Sequence, residues 1–118
     1  MRNMSFALTV PQFLARTKTV TRRLRWEDVE PGEVIAGCRK CMGLPPGERI
    51  ERLGLIVATE VNRQPIRVGD DDEAAREGFP GMRWPHFVEL LCDAYRVPST
   101  EPITRIRFAY IVGGRIHA

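Results

Sequence analysis

The sequence predicts a small α+β domain in which helices flank a curved, mainly antiparallel sheet or barrel. Candidate strands are short and mostly consecutive, and three candidate helices are inserted between them. The predicted order is β-α-β-β-β-α-α-β, which favours this architecture over a parallel stack of βαβ units. The length of 118 residues suits one domain with one hydrophobic core. We therefore expect a single domain over residues 1–118.

The composition is typical of a globular protein, with 43% hydrophobic and 28% charged residues. No apolar run approaches the roughly 20 residues of a membrane-spanning helix, and the N-terminus lacks the apolar core of a signal peptide. We therefore expect a cytoplasmic protein with no membrane partner. The formal net charge of +3 permits an anionic partner without requiring one. The sequence does not determine the oligomeric state.

The first half of the chain supplies four candidate strands and one short helix. Pro11 suits a first helical turn, and Pro31 followed by Gly32 suits the centre of a type II turn. Adjacent prolines at positions 45 and 46 exclude regular structure and predict a loop tip. The most apolar segment of the chain follows that loop, as expected of a central buried strand. The predictions are strands at residues 5–9, 18–24, 34–38 and 53–61, and a helix at residues 11–16.

The second half predicts two helices and a final strand. Asp70 can cap a helix over residues 70–78, with Glu73 as its capping-box partner and Gly78 as the left-handed residue at its end. Residues 84–95 repeat apolar side chains with helical spacing, which predicts an amphipathic helix. Residues 104–111 alternate apolar side chains with arginines, which predicts a strand with one buried face.

The most polar segment is residues 17–25, which packs four cations and three hydroxyl side chains into nine positions. Its β-branched residues favour a strand. The segment is either the lip of a cleft that meets an anionic or hydrogen-bonding ligand, or a solvated edge strand whose charges prevent aggregation. The residues alone leave both interpretations open.

Three side chains in this sequence could carry chemistry. The hydroxyl of Thr21 attacks an acyl carbon only if a base removes its proton, and Lys18 serves as that base only if its pKa is lowered. Side chains three apart on a strand point to opposite faces, so Lys18 must precede the strand for both to reach one pocket. Glu77 lies where the helix dipole disfavours a negative charge, so another contact could hold it there. An ordinary ion pair or solvent explains Glu77 equally well.

The cysteines and aromatic residues carry weaker signals. Cys38 and Cys41 form a CxxC pair, but the chain offers few further ligands for a structural zinc site. We predict reduced thiols, no metal and no cofactor. Four aromatic side chains are available to stack on a base, and we expect at most one of them to contact a ligand: Trp26, Phe79, Trp84 and Tyr110.

Four short motifs occur in order along the chain. They are Lys-Thr-Val-Thr-Arg-Arg at 18–23, Pro-Gly-Glu at 31–33, Glu-Gly-Phe at 77–79 and Arg-Ile-Arg-Phe-Ala-Tyr at 105–110. Through them the chain resembles the ASCH-domain proteins, which are related to the PUA domains. The resemblance covers residues 6–111. It implies a PUA-like β-barrel flanked by helices, with a cleft suited to RNA or a nucleotide.

Some small ASCH-domain proteins are amidohydrolases that remove the acetyl group from N4-acetylcytidine with a lysine, a threonine and a glutamate. Their Lys-Thr-x-Thr motif matches Lys18 and Thr21, and their glutamate matches Glu77, so the resemblance implies these three as catalytic residues. Another branch is a metal-dependent ribonuclease that uses Tyr, Lys and Ser, and its Tyr and Ser have no assigned match here. The chain departs from the amidohydrolases in its longer loop at residues 39–52 and in its two consecutive arginines at 22 and 23.

Two functions of different class follow from the residues and the resemblance, so whether the chain is an enzyme stays open. The first function is binding of RNA or a small nucleoside ligand in a basic cleft. The second is metal-independent deacetylation, with Thr21 as nucleophile, Lys18 as base and Glu77 as the orienting group. A ribonuclease and a domain used only for protein contacts are the remaining alternatives. The predicted ligand-binding residues are Lys18, Thr19, Arg22, Arg23, Lys40 and Phe79.

Overall fold

The computed structural model describes residues 1–117 and confirms the α+β class. One mixed sheet of six strands carries three helices, in the predicted order with one strand added at the end. In this part of the chain the longest helix has 12 residues, and no helix is both long and apolar enough to cross a membrane. The elements are β1 Arg2–Ser5, α1 Val10–Leu14, β2 Val20–Arg23, β3 Val34–Cys38, β4 Arg52–Pro65, α2 Asp71–Arg76, α3 Trp84–Tyr95, β5 Pro102–Val112 and β6 Arg115–His117.

The strands lie in the order β1-β3-β4-β5-β2, and β6 pairs with the end of β5. The β1–β3 pair is parallel and every other pair is antiparallel, so the prediction of a mainly antiparallel sheet is confirmed. A register shift between Ala58 and Glu60 interrupts the long central β4–β5 pair. Strands β1 and β2 lie at opposite ends of the order. The sheet within residues 1–117 is therefore open, and the closed barrel is not confirmed.

Two apolar clusters hold the helices against the sheet. The first gathers aromatic rings, with Phe6 and Phe13 4.7 Å apart and Phe13 and Tyr110 5.1 Å apart between ring centres. Helix α1 joins this cluster because the ring of Phe13 lies where a side chain at Gly37 would be. The second cluster lies under α3, where the rings of Trp84 and Phe87 stack 5.3 Å apart. The helices thus cover the sheet at two places, and α2 and α3 pack in the second cluster.

The local signals for turns and helices are largely confirmed. At the predicted type II turn the amide of Glu33 donates to the carbonyl of Glu30 at 3.1 Å, and Gly32 has a φ of +96°. Asp70 accepts the amide of Glu73 at 2.9 Å and caps α2, which ends with Gly78 at a φ of +107°. The predicted bounds of α3 match the structure.

One strand prediction is wrong, and one strand was missed. The first strand spans Arg2–Ser5 instead of residues 5–9, because residues 7 and 8 form the turn that leads into α1. The final strand β6 was not predicted. Gly113 and Gly114 adopt positive φ values of 59° and 76°, which form a tight turn that folds β6 back onto β5.

Candidate functional site

A cavity of about 240 Å³ opens beside the edge strand β2. The turn after β1 and the C-terminal half of α3 form its other walls, and Leu90, Leu91 and Tyr95 of α3 line it. The polar part of the wall includes five of the eight residues that the sequence singled out for catalysis or binding. Those five, Lys18, Thr21, Arg22, Arg23 and Glu77, are joined in the lining by a sixth predicted residue, Phe79.

The carboxylate of Glu77 joins the two buried cations of the cavity. Its Oε1 accepts from Lys18 Nζ at 2.8 Å, and its Oε2 accepts from Arg22 Nη1 at 2.9 Å. Lys18 also donates to the backbone carbonyl of Glu77 at 2.8 Å. The three residues are only 2–3% exposed. Glu77 is the C-cap of α2, so these ion pairs offset the unfavourable helix dipole at that position.

A second carboxylate, that of Glu73, extends the network behind the cavity wall. Glu73 Oε1 accepts from Arg22 Nη2 and from Arg105 Nε, each at 2.6 Å. Its Oε2 accepts from Arg105 Nη2 and Arg76 Nη1, each at 3.1 Å. Burial alone would raise the pKa of Glu73, but the hydrogen bonds from Arg105 and Arg22 outweigh it and lower that pKa to about 2. The capping-box bond expected from Glu73 does not form because the arginines bind its carboxylate.

Lys18 lies where a base must lie if it is to share a pocket with Thr21. Strand β2 begins at Val20, so Lys18 precedes the strand, and both side chains line the same cavity. Burial lowers the pKa of Lys18, Glu77 opposes that shift, and the positive charges of Arg23 and Arg22 add to it. Although β2 is an edge strand, Lys18, Thr21 and Arg22 are buried, so the interpretation of a solvated edge is wrong.

Arg23 contacts the candidate nucleophile. Its Nε donates to Thr21 Oγ1 at 3.0 Å, and its guanidinium carbon lies 4.9 Å from the centre of the Phe6 ring. Burial lowers the pKa of Arg23. Within residues 1–117 Arg23 forms no ion pair with a carboxylate, unlike Lys18 and Arg22. Arg23 is therefore the cation of the cavity wall that remains available to an anionic ligand.

Arg22 retains one unused donor in this wall. Its Nη1 and Nη2 bind the two glutamates, and its guanidinium carbon lies 4.9 Å from the centre of the Trp84 ring. Its Nε is buried and has no hydrogen-bond partner in the described part of the chain. A buried polar group without a partner costs about 1–3 kcal/mol.

Two tyrosines hold the backbone of this segment. Tyr95 donates its hydroxyl to the carbonyl of Arg22 at 2.8 Å, and Tyr110 donates to the carbonyl of Lys18 at 2.6 Å. Burial raises the pKa of both hydroxyls. Each tyrosine stays neutral at physiological pH and remains a donor, so the segment from Lys18 to Arg22 is fixed at both ends.

Two of the predicted binding residues lie outside the cavity wall. The amide of Thr19 donates to the carbonyl of Arg76 at 2.8 Å, and its carbonyl accepts from Phe108 at 2.9 Å, so its backbone joins α2 to the sheet. Lys40 is exposed and lines a different cavity. Of the four aromatic candidates, Phe79 alone appears in the lining of the first cavity.

Sequence reasoning missed Glu73, Arg105 and Tyr95 as parts of this site. Glu73 had a sufficient local explanation as a capping residue, and Tyr95 had one as part of the apolar stripe of α3. Arg105 lies on the face of β5 that the alternating pattern assigned to solvent. The signal that could have found them is long-range pairing, since 32 residues separate Arg105 from Glu73 and 73 separate Tyr95 from Arg22.

The three cysteines are free thiols. Cys38 is buried, its thiol lies 3.5 Å from the carbonyl of Ala36, and burial raises its pKa to about 11. In residues 1–117 no group of three or more His, Cys, Asp or Glu side chains is arranged to hold a metal ion.

The fold of this chain resembles that of a solved ASCH domain. The crystal structure of an ASCH domain from Lactobacillus crispatus JV V101 matches with a TM-score of 0.65 and 13% identity, over 98% of this chain and 80% of that one. A crystal structure of a DUF984 protein from Enterococcus faecalis V583 also matches with a TM-score of 0.65 and 13% identity, over 92% and 74% of the two chains. No family model and no curated protein matches the chain. The ASCH-like fold that the resemblance implied is confirmed.

Proposed function

We propose that the cavity beside β2 binds one nucleoside unit, either free or as part of an RNA. The observation that carries the proposal is the unsatisfied donor capacity of the wall. Three cations, Lys18, Arg22 and Arg23, face one carboxylate, Glu77, in the lining. Lys18 and Arg22 are bound to carboxylates, whereas Arg23 is only partly buried and has no carboxylate partner among the described residues. Such a wall favours a ligand that presents acceptor atoms and negative charge.

The size of the cavity supports a ligand of one base. Its volume of about 240 Å³ lies just below the range of about 300–1,000 Å³ for pockets that hold drug-sized ligands. Phe79 and Tyr95 supply aromatic surface on which a base can stack. Lys18 and Arg22 are too deeply buried to follow an extended phosphate backbone. The side chain of Arg22 is fully buried, so Lys18 and the partly buried Arg23 are the cations that suit the acceptor atoms of a base.

Calorimetric titration with the four ribonucleosides and N4-acetylcytidine tests the binding proposal. The Arg23→Ala variant should bind the preferred nucleoside about 10- to 100-fold more weakly, the usual loss for one hydrogen bond from a charged donor. Arg115→Ala removes the same charge from exposed β6, outside the cavity lining, and should bind as the parent does. Equal affinity of the parent and Arg23→Ala would exclude this cavity, and absence of binding to all five compounds would exclude nucleoside recognition.

A second candidate function is hydrolysis of an N-acyl group on the base, which the placement of Lys18 and Thr21 favours. The ammonium of Lys18 has three donors, and Glu77 accepts two of them. A neutral Lys18 amine can keep both bonds to Glu77 and still offer its lone pair, and burial shifts its pKa toward that neutral form. The guanidinium of Arg23 at Thr21 Oγ1 favours developing negative charge on that oxygen.

The proposed reaction has two balanced steps. Thr21 Oγ attacks the acetyl carbonyl and passes its proton to Lys18, and the tetrahedral intermediate collapses as Lys18 returns that proton to the departing exocyclic amine. Water, deprotonated by Lys18, then hydrolyses the acetyl ester on Thr21. Acetate leaves and the proton returns to Thr21 Oγ. Glu77 holds the Lys18 amine in place throughout.

Release of cytidine and acetate from N4-acetylcytidine tests this second function. Thr21→Ala and Lys18→Ala should abolish release, whereas Thr21→Ser keeps a hydroxyl and should retain part of it. The rate should rise with pH as Lys18 loses its proton, with a midpoint below the value of about 10.4 for an ordinary lysine. Turnover by Thr21→Ala would exclude a threonine nucleophile.

A further inference from the structure

A second cavity, of about 530 Å³, lies under the loop of residues 39–51 that connects β3 to β4. Three cations of this loop line it, and two carboxylates accompany them. The five charged residues are Arg39, Lys40, Arg49, Glu48 and Glu51. The first cavity and the ion-pair network do not use any of these residues.

The parallel pairing of β1 and β3 places the two cavities side by side. Ser5 pairs with Cys38 at the end of both strands, and the amide of Phe6 donates to the carbonyl of Cys38 at 2.8 Å. Parallel strands leave the sheet at the same edge, so the turn after β1 runs beside the start of the loop. Ala7, in that turn, lines both cavities. The two cavities therefore adjoin at Ala7.

Two cations of the second cavity are available to a ligand. The side chain of Arg39 is hydrogen-bonded to that of Glu51, which neutralises both. Lys40 and Arg49 form no ion pair within residues 1–117. Gly43 adopts a positive φ of 69° in the loop, and the position of a Cβ there would lie 3.8 Å from Lys40 Nζ. The ammonium of Lys40 therefore lies near the backbone of this turn, beside the second cavity.

We propose that the second cavity is a phosphate subsite. It binds the phosphate of the nucleotide whose base occupies the first cavity, through Lys40 and Arg49. The proposal rests on the proposed nucleoside binding and adds the ligand class, which is a phosphorylated nucleoside unit. The recognised group is a phosphate mono- or diester. A mononucleotide and an RNA chain both supply it.

Titration of three ligand series tests the subsite: the four ribonucleosides, their 3′- and 5′-monophosphates, and the four homotrinucleotides of RNA. The variant carries Lys40→Ala and Arg49→Ala. A matched control carries Arg67→Ala and Arg115→Ala, two exposed cations that line neither cavity. The parent should bind a phosphorylated ligand more tightly than the corresponding nucleoside. The Lys40→Ala, Arg49→Ala protein should bind the nucleoside as the parent does and lose the gain from phosphate, while the control keeps it.

Salt dependence provides a second measurement. Each phosphate contact on a single strand contributes about 0.7 to the slope of log affinity against log salt. The subsite holds one phosphate, so the variant should have a slope lower by about 0.7, and between 50 and 200 mM salt the parent should lose about 2.6-fold more trinucleotide affinity than the variant. Tighter binding of monophosphates than of trinucleotides would identify a mononucleotide as the source of the phosphate. Tighter binding of trinucleotides would identify an RNA chain as the source.

The outcomes separate this proposal from the one on which it rests. Equal binding of nucleosides and their phosphates overturns the subsite and leaves nucleoside binding intact. If the Lys40→Ala, Arg49→Ala protein and the control lose the same amount of phosphate-dependent affinity, the attraction is general electrostatic attraction, and the subsite is also overturned. Absence of binding in all three series overturns nucleoside recognition itself, and the subsite with it.

Discussion

Replacement of Glu77 by glutamine tests whether the buried ion pairs hold the cavity wall together. The amide can still accept one hydrogen bond, but Lys18 loses its carboxylate while it remains 3% exposed. Arg22 keeps Glu73 at 2.6 Å, so most of the loss falls on Lys18. Removal of one partner from a buried ion pair destabilises proteins by about 3–5 kcal/mol. That is a large fraction of the roughly 5–15 kcal/mol that separates folded from unfolded domains.

Urea unfolding followed by tryptophan fluorescence measures this change, since the ring of Trp84 lies against Arg22. Glu89→Gln removes the same charge from an exposed position of α3 and should stay within about 0.5 kcal/mol of the parent. Addition of Lys18→Met to Glu77→Gln should restore about 0.5–3 kcal/mol, because the unpaired buried charge is then gone. A loss for Glu77→Gln of less than about 1 kcal/mol would refute the role assigned to the ion pairs.

Three further perturbations have defined outcomes. Glu73 has a pKa of about 2 in the folded protein and 4.5 as a free group, so its ionised form should contribute about 3 kcal/mol to the free energy of unfolding above pH 4.5. This contribution is lost as the pH falls toward 2. The free energy of unfolding of Glu73→Gln, measured against pH, should lack this decrease in acid. In thermal unfolding, Gly78→Ala should destabilise the protein more than Gly81→Ala. Both glycines have a positive φ, but a Cβ at Gly78 would lie 2.9 Å from a neighbouring side chain, whereas a Cβ at Gly81 would meet open space. Iodoacetamide at pH 8, followed by mass spectrometry, should label Cys41 well before Cys38, whose thiol is buried and has a pKa raised to about 11; equal labelling rates would contradict the buried placement.

The parts of the fold that the sequence predicted are those with a local physical cause. The bounds of α3 follow from an apolar stripe that alternates with polar positions, and the turn at Gly32 follows from the preference of proline and glycine for its two central positions. The first strand was misplaced because Phe6 and Leu8 alternate with small or polar neighbours, whereas pairing with β3 selects residues 2–5. A local sequence pattern does not specify the strand with which a segment pairs.

The candidate site likewise contains residues that local sequence features identify and residues that only long-range contacts identify. Lys18, Thr21 and Glu77 were identified from residue type, spacing and a resemblance, and all three line one cavity. Glu73 and Arg105 were not, because their contact joins a helix to a strand and exists only after the sheet has formed. A carboxylate that satisfies a local rule gives no sign that distant arginines bind it more strongly.

The tyrosine bond at Lys18 has a consequence for the timing of folding. Tyr110 lies 92 residues after the carbonyl to which it donates, and β2 pairs only with β5 in the described sheet. During synthesis, the cationic segment stays unpaired until β5 has emerged. Contacts of such sequence separation slow folding, since the closure of a long loop precedes any gain from the contact. Ligand affinity should therefore appear late in refolding, together with the final strand pairing, and it can serve as a kinetic signal for completion of the fold.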